Sequence, residues 1–183
     1  METIETSRLL LRPYNHGDAP RVLDILSRIE VIRWLGNPPF VPMPDLDAAR
    51  AWVERWHDRE DMPLDWARAI EVKETGVVAG TVLVARLERI DGGYVGEHEV
   101  GWHLHPDAVG HGYATEAAEA AIDRTLVEMD DLWCGMYPDN EPSARVAQRL
   151  GLPDLGVLPD PWYGGESRMF RVTRDDWSAR DRH

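Results

Sequence analysis

The sequence is poor in cysteine and lysine and has no long apolar run. Its single cysteine, Cys134, excludes a disulfide within the chain and a cysteine-based metal site. The longest purely aliphatic run near the N-terminus, Leu9–Leu11, is far too short for a signal-peptide core or a membrane span. These features predict a cytoplasmic protein with no membrane partner.

The charge balance is strongly acidic. The chain has 33 acidic and 20 basic residues and a net charge of -13. Such a field repels phosphate backbones, so it disfavours nucleic-acid binding and favours cationic partners or amine substrates. Hydrophobic residues at 43% and charged residues at 29% are an ordinary balance for a globular protein. The length fits one compact domain, which we expect to cover residues 1–183.

Strand-like and helix-like patterns that alternate along the chain predict a mixed α/β fold with a sheet that is antiparallel in its first half. Around Gly76 the apolar residues change to a period of two on both sides of a turn, which is typical of a β-hairpin. The full predicted order is a strand over 7–13, a helix after Asp18 that reaches Ile29, a helix that carries Trp52 and Trp56, the hairpin over 66–87, a strand over 97–105, a helix over 112–129, a strand over 132–137, a helix over 141–150 and a closing hairpin from 152–158 and 167–172.

A glycine-rich turn links the strand over 97–105 to the next helix. Gly110 and Gly112 let backbone N–H groups approach an anion closely, and the start of a helix adds a partial positive charge. Together they predict a phosphate-binding turn that needs no lysine, and a tight turn without a ligand is the alternative. A dinucleotide-binding fold is disfavoured, because Thr115 stands where its fingerprint needs glycine or alanine and too few residues follow Asp139.

Three blocks of the sequence resemble the Gcn5-related N-acetyltransferases. The acetyl-coenzyme-A motif of that family reads Gln/Arg-x-x-Gly-x-Gly/Ala; Gly112 and Ala114 match its last two fixed positions, and Val109 stands where glutamine or arginine is usual. Residues 140–152 are similar to the family's downstream Asn-x-x-Ser/Ala…Gly-Phe block. Residues 6–13 resemble the opening strand of the branch typified by the ribosomal-protein N-terminal acetyltransferases.

The resemblance implies the acyl-coenzyme-A N-acyltransferase fold, in which two central strands splay apart. The backbone of 102–104 would pair with the pantetheine arm of acetyl-coenzyme A, and the turn at 110–115 would hold its diphosphate. No metal cofactor is expected. The cofactor-binding residues that the resemblance implies are Trp102, His103, Leu104, Val109, Gly110, His111, Gly112, Tyr113, Ala114, Thr115, Asn140 and Ser143.

Two carboxylates on the strand before the turn are candidates for a general base. Alternation along a strand puts Glu97 and Glu99 on the face opposite Val100, which we expect to pack under the helices. We predict Glu99 as the base, acting directly or through water, and Glu97 as the second choice. The alternative is an exposed strand face with ordinary charges. His103 and His105 share this face and could form a zinc site with either carboxylate, but a site without metal is favoured.

A serine and the helix that contains it supply the candidate acid. In the related branch a serine at the position of Ser143 protonates the leaving thiolate, whereas the tyrosine that is more common in the family is replaced here by Ala147. From the residues alone, Asn140 could cap this helix, and Ser143 could be only a residue of its first turn.

The resemblance implies transfer of an acetyl group from acetyl-coenzyme A to a primary amine by direct attack in a ternary complex. The acceptor would be a protein N-terminus or a small-molecule amine, and the acidic surface favours a cationic one. Trp34, Trp52 and Trp56 belong to the region that would form the acceptor pocket, whereas Cys134 and Tyr137 are predicted to be packing residues. The alternative is a coenzyme-A-binding module without catalysis that serves in sensing or assembly. A homodimer is left open.

Overall fold

The computed structural model describes residues 3–57 and 64–180, which form one eight-stranded sheet with helices on both faces. The strands are β1 (Ile4–Glu5), β2 (Leu9–Arg12), β3 (Trp66–Val72), β4 (Val77–Arg86), β5 (His98–Leu104), β6 (Asp131–Met136), β7 (Asp154–Pro159) and β8 (Glu166–Thr173). The helices are α1 (Ala19–Leu26), α2 (Ile29–Ile32), α3 (Leu46–His57), α4 (Tyr113–Thr125), α5 (Glu141–Arg149) and α6 (Arg174–Ala179). Within these residues no helix has both the length and the apolar character that a membrane crossing requires.

The strands lie in the order β1-β2-β3-β4-β5-β6-β8-β7. The predicted mixed α/β fold is confirmed: β1 to β5 form an antiparallel run, and β5 and β6 are parallel neighbours joined through α4. The hairpin predicted around Gly76 is β3 and β4. One domain over 1–183 extends past the described residues and stays a prediction.

The sheet separates two apolar cores. On one face, α4 and α5 pack over a core that includes Val100, Ile122 and Phe170. Complete burial of side chains of this size stabilises the fold by about 1.5–3 kcal/mol each. On the other face, α1, α2 and α3 pack against Ala69 and Val78. Because Val100 faces the α4 core, alternation directs Glu99 to the opposite face, as predicted.

Some element boundaries differ from the predictions. The helix expected to reach Ile29 ends at Leu26, because Arg28 adopts an extended conformation (ψ 120°) before α2 begins. The helix expected over 112–129 ends at Thr125. The short elements β1 and α6 were not predicted, since two and six residues carry too little periodicity to be recognised.

Gly80 allows the end of β5 to lie close to β4. A Cβ atom at this position would be 2.1 Å from the carbonyl oxygen of His103 and 2.8 Å from the Cα atom of Leu104. These are backbone atoms of the paired strand, so they cannot move aside without disturbing the ladder. Gly80 therefore fixes the position of the segment of β5 that borders the site.

We expect Gly80→Ala to lower the free energy of unfolding by about 1–3 kcal/mol, because the new methyl group overpacks against backbone. Gly101→Ala on β5 is the matched control: its Cβ would meet a side-chain carbon of Leu83 at 3.3 Å, and a side chain can shift. Urea denaturation measures both variants. An equal loss for the two substitutions would contradict the distinction between backbone and side-chain contact.

Candidate active site

β5 and β6 separate after a single pair of residues. β5 pairs with β4 along all 7 of its residues, whereas its parallel pairing with β6 is confined to Glu99 and Trp133. A cavity of about 1380 Å³ opens along this gap, bordered by 101–104 of β5 and 134–136 of β6. Within the described strands, the edge of β5 beyond Glu99 thus has no ladder partner on this side, and its backbone groups can bind a ligand.

The turn after β5 brings backbone N–H groups to one end of the cavity. Gly110 (φ +91°) and Gly112 (φ +80°) adopt the left-handed conformation that favours glycine. Gly112 is the N-cap of α4, and the first N–H groups of a helix have no acceptor within it. Residues 109–115 all line the cavity. Main-chain donors and the helix dipole together make this end suitable for an anion.

Glu99 lies where the two strands begin to separate. Its half-buried side chain lines the cavity, and its Oε1 accepts a hydrogen bond of 2.5 Å from the hydroxyl of Tyr163. Burial raises the pKa of Glu99 to about 7; the hydrogen bond from Tyr163 opposes this rise, and the charge of Asp160 adds to it. The carboxyl group therefore exchanges its proton near neutral pH, as a general base must.

Glu97, the second candidate base, has different surroundings. Its carboxylate forms an ion pair with Arg89 at 2.6 Å and accepts a hydrogen bond of 2.7 Å from the indole of Trp162. Burial opposes ionisation, but these two partners outweigh it and hold the pKa of Glu97 below its ordinary value. Glu97 is not one of the described residues that line the cavity. Because its oxygens are engaged outside the cavity, Glu99 is the better candidate for the base.

His103 in β5 and His105 just after it contact different partners. Nε2 of His103 lies 2.9 Å from the hydroxyl of Thr81, and burial lowers the pKa of His103 to about 4, so its ring is neutral at pH 7. His105 instead lies 3.1 Å from Asp24 and 2.6 Å from Asp107. In the part of the chain that the structure describes, no group of three or more His, Cys, Asp or Glu residues is arranged to hold a metal ion.

The start of α5 forms another wall of the cavity. The buried side chain of Asn140 accepts a hydrogen bond of 3.2 Å from the backbone N–H of Ser143, which confirms the predicted N-cap. Ser143 is half-buried and lines the cavity, as does Asn140. Ala147 is fully buried, and its methyl side chain supplies no hydroxyl in place of the tyrosine that is common in the family at that position. Ser143 is thus the hydroxyl that α5 presents to the cavity.

Aromatic side chains form a further wall. The hydroxyl of Tyr137 donates a hydrogen bond of 2.7 Å to the carbonyl of Gly36, and its ring lies 6.2 Å from that of Trp34. The side chain of Asn37 donates to the carbonyl of Tyr163 at 2.8 Å. The segment after α2 is thereby tied both to the end of β6 and to the loop between β7 and β8. The aromatic residues that line the cavity are Trp34, Trp52, Trp56, Tyr113, Tyr137, Tyr163 and Trp102.

Sequence reasoning did not predict the contacts that three residues make at the site. Cys134 and Tyr137 were expected only to pack. Cys134 does belong to the α4 core, where burial raises the pKa of its thiol, but both residues also line the cavity. Their positions follow from the separation of β5 and β6, which no local pattern reveals. Tyr163 is 64 residues from Glu99 in the chain. Its glycine-rich surroundings indicate a turn but not what the turn contacts.

Comparison with known proteins agrees with this fold. A model of the acetyltransferase (GNAT) domain matches residues 8–153, so the chain belongs to the GNAT acetyltransferase family. It is similar to an uncharacterized N-acetyltransferase of Bacillus licheniformis, with 29% identity over 162 residues and 87% of each chain covered. The chain is accordingly an N-acetyltransferase.

Two solved structures extend the comparison. An acetyltransferase from Agrobacterium tumefaciens has 27% identity and a TM-score of 0.71, with 94% of each chain covered. RimL, a ribosomal L7/L12 alpha-N-protein acetyltransferase in complex with coenzyme A, has a TM-score of 0.76, with 96% of this chain and 99% of that chain covered. Its identity is 17%, so this second likeness shows the fold alone.

The raised pKa of Glu99 predicts a cost in stability. The folded protein holds this proton up to about pH 7, whereas the ordinary value in an unfolded chain is 4.5. Stability therefore falls as the pH rises from about 4.5 to 7, by roughly 3 kcal/mol in total. Glutamine keeps an acceptor for Tyr163 but does not ionise. We expect Glu99→Gln to raise the free energy of unfolding at about pH 8 by roughly this amount and to change it little at about pH 4.

Glu97→Gln is the control with the opposite sign. The pKa of Glu97 is lowered by its partners, so its ionised form stabilises the fold above the ordinary value, and the substitution should reduce stability at about pH 8. Urea denaturation at both pH values measures the two variants. A Glu99→Gln protein that is less stable than the wild type at about pH 8 would contradict a buried carboxyl with a raised pKa.

Proposed function

We propose that the protein transfers an acetyl group from acetyl-coenzyme A to a primary amine by direct attack in a ternary complex. The observation that carries this proposal is the gap between β5 and β6, which leads from the glycine turn at 109–115 to Glu99. The two ends of one cavity thus suit two different partners, an anion at the turn and an amine at the carboxyl group. The single cysteine of the chain fits a reducing compartment and supports a cytoplasmic location.

The described residues fit coenzyme A in shape and in donor chemistry. The unpaired edge of β5 over 102–104 offers backbone groups to the amides of a pantetheine arm, and Asn140 also lines the cavity. The turn offers main-chain N–H groups and two left-handed glycines, Gly110 and Gly112, to the diphosphate. A cavity of about 1380 Å³ exceeds the range of about 300–1,000 Å³ that is usual for small ligands, as this large molecule requires.

In the proposed reaction acetyl-coenzyme A supplies a thioester carbonyl that the acceptor nitrogen attacks. Glu99 accepts the proton of the acceptor ammonium, directly or through water, and Tyr163 holds the carboxylate in place. An α-amine with a pKa of about 8 costs about 1 kcal/mol to deprotonate at neutral pH, and a lysine amine costs roughly 4–5 kcal/mol. A carboxylate with a pKa of about 7 is adequate for either acceptor.

Ser143 is the proposed acid that returns a proton to the leaving thiolate. Its hydroxyl is on the cavity wall formed by the start of α5, where Asn140 orders the first turn. A water molecule could perform the same step, because a thiolate is a stable leaving group with a pKa of about 8.5. Ser143 therefore has a smaller expected effect on the rate than Glu99.

We infer that the acceptor is a cationic primary amine. The aromatic walls of the cavity can bind a cation through their π faces, and Glu30, Asp160 and Glu166 add negative charge to its lining. The name of RimL, an alpha-N-protein acetyltransferase, supports a protein N-terminus as the acceptor. A small-molecule amine is the other candidate, and a screen of amines with thiol release as readout separates the two.

The first test concerns the base. Glu99→Gln should lower kcat by about 10²–10⁴-fold at pH 7, because the proton then has no acceptor in the site. The loss should shrink at a pH above the pKa of the acceptor amine. In the wild type, kcat/KM should rise through about pH 7 as Glu99 ionises. Glu97→Gln is the control and should keep this rise. Equal rates for Glu99→Gln and the wild type at pH 7 would remove Glu99 from the role.

The second test concerns the glycine turn. Gly112→Asp adds a side chain where φ is +80° and a negative charge beside the proposed phosphate site, so coenzyme A should bind about 100-fold more weakly. Gly76→Asp is the matched control, since Gly76 (φ +67°) has the same backbone strain but lies in the turn between β3 and β4. Isothermal calorimetry measures both affinities. Normal binding to Gly112→Asp would mean that the diphosphate binds elsewhere.

A panel of amines tests the proposed acetyl transfer directly. Turnover of any amine with release of free thiol supports acetyl transfer. Tight binding of coenzyme A without turnover across protein N-termini, polyamines and other small amines would contradict the proposed transfer to a primary amine.

A further inference from the structure

An arginine from the opening strand region reaches the glycine turn. The side-chain Nε–H of Arg8 donates a hydrogen bond of 2.7 Å to Glu116 in the first turns of α4, and one terminal nitrogen donates to the carbonyl of His111 at 2.8 Å. The guanidinium also lies 5.2 Å from the centre of the Tyr113 ring. Three contacts, all with the turn or the start of α4, therefore hold the charged group in one orientation.

Glu116 would repel an anion at the start of α4 if its charge were not compensated. Burial opposes its ionisation, but hydrogen bonds from Thr6, Ser7 and Arg8 outweigh it and lower the pKa of Glu116. The carboxylate is thus ionised at neutral pH, and the guanidinium of Arg8 at 2.7 Å neutralises it. The segment from Thr6 to Arg8 and the carboxylate of Glu116 form one connected unit beside the turn.

Arg8 keeps donors for a ligand after these contacts are made. Its second terminal nitrogen, Nη2, makes no hydrogen bond with the described residues, and a Cβ atom on Gly112 would lie 3.4 Å from it. The side chain is 51% exposed, and Arg8 lines the cavity. A guanidinium has five N–H donors in a planar fork, so those left over can bind a phosphate oxygen at the turn.

We propose that Arg8 binds a phosphate group of coenzyme A at the glycine turn, as a specificity-determining residue for the nucleotide part of that molecule. The inference rests on the proposed function and deepens it. Val109, which has an apolar and largely exposed side chain, can offer this phosphate only its backbone. Arg8, which lies about 100 residues earlier in the chain, supplies the cation that Val109 cannot. Because Arg8 is already oriented by Glu116 and His111, little conformational entropy is lost when the phosphate binds.

A purely structural role for Arg8 is the competing explanation. In that case the arginine only ties the segment at Thr6–Arg8 to α4, and its loss disturbs the turn indirectly. Charge separates the two explanations. A lysine at position 8 keeps a cation beside the turn but cannot reproduce the fork that contacts Glu116 and His111 together. A phosphate contact tolerates lysine better than glutamine and weakens with added salt, whereas a structural tie through both Glu116 and His111 is lost in both variants and leaves the salt dependence of binding unchanged.

The experiment measures binding of coenzyme A, dephospho-coenzyme A and pantetheine to the wild type and to Arg8→Gln, Arg8→Lys and Arg124→Gln. Arg124 is the matched control, because it lies at the other end of α4, away from the glycine turn. Like Arg8, it is about half exposed (52%) and pairs with a glutamate, Glu128. We expect Arg8→Gln to weaken coenzyme A by about ten- to a hundredfold, the effect of one charged hydrogen bond. Arg8→Lys should lose less affinity for coenzyme A, and Arg124→Gln should lose none. Pantetheine should bind all four proteins equally.

The three ligands also identify the phosphate. An equal loss with dephospho-coenzyme A assigns Arg8 to the diphosphate, and a loss confined to coenzyme A assigns it to the 3′-phosphate; either supports the inference. Added salt should weaken the wild type more than Arg8→Gln, since one exposed charge contact has been removed. If Arg8→Gln binds coenzyme A as tightly as the wild type, or Arg8→Lys loses as much as Arg8→Gln with the same salt dependence, the inference is overturned. Failure of the wild type itself to bind coenzyme A would instead overturn the proposed function.

Discussion

The incomplete pairing of two parallel strands is the constraint on which the site depends. Backbone N–H and C=O groups away from water need partners, so a strand edge left open inside a sheet is tolerated only where water or a ligand can reach it. β5 stays ordered because β4 pairs with its full length, and β6 is held in the same way by β8. The two strands can therefore separate beyond Glu99 without unravelling, and the open edge, the turn and the carboxyl group all border one space.

In the same strand region, different surroundings give two carboxylates different pKa values. Glu97 and Glu99 are chemically identical and two residues apart, yet the pKa of one is lowered and that of the other is raised. Glu97 meets the guanidinium of Arg89, which favours its charged form. Glu99 is desolvated, and among the described residues the side chain that donates to it is the neutral hydroxyl of Tyr163. Burial without a cationic partner therefore keeps the proton on Glu99 near neutral pH, whereas the guanidinium of Arg89 keeps Glu97 ionised.

Local patterns predicted most of the elements and the turn, because the forces behind them act within a few residues. The N-cap at Asn140, the glycines at 110 and 112, and the alternation that separates Val100 from Glu99 are all of this kind. The contacts that complete the site are not. Tyr163 reaches Glu99 across 64 residues and Arg8 reaches Glu116 across 108. Such pairs depend on the order in which strands join the sheet, which no window of the sequence records.

Tyr163 connects the pKa of Glu99 to the segment that borders the aromatic wall of the cavity. Its hydroxyl contacts Glu99, while its carbonyl accepts a hydrogen bond from Asn37 in the segment that borders the aromatic wall. If the proposed amine acceptor binds beside that segment, a change there that admits a different amine also moves Tyr163, and with it the hydroxyl bonded to Glu99. In relatives with this arrangement, a change in which amine is accepted would then also shift the pH at which the enzyme is most active.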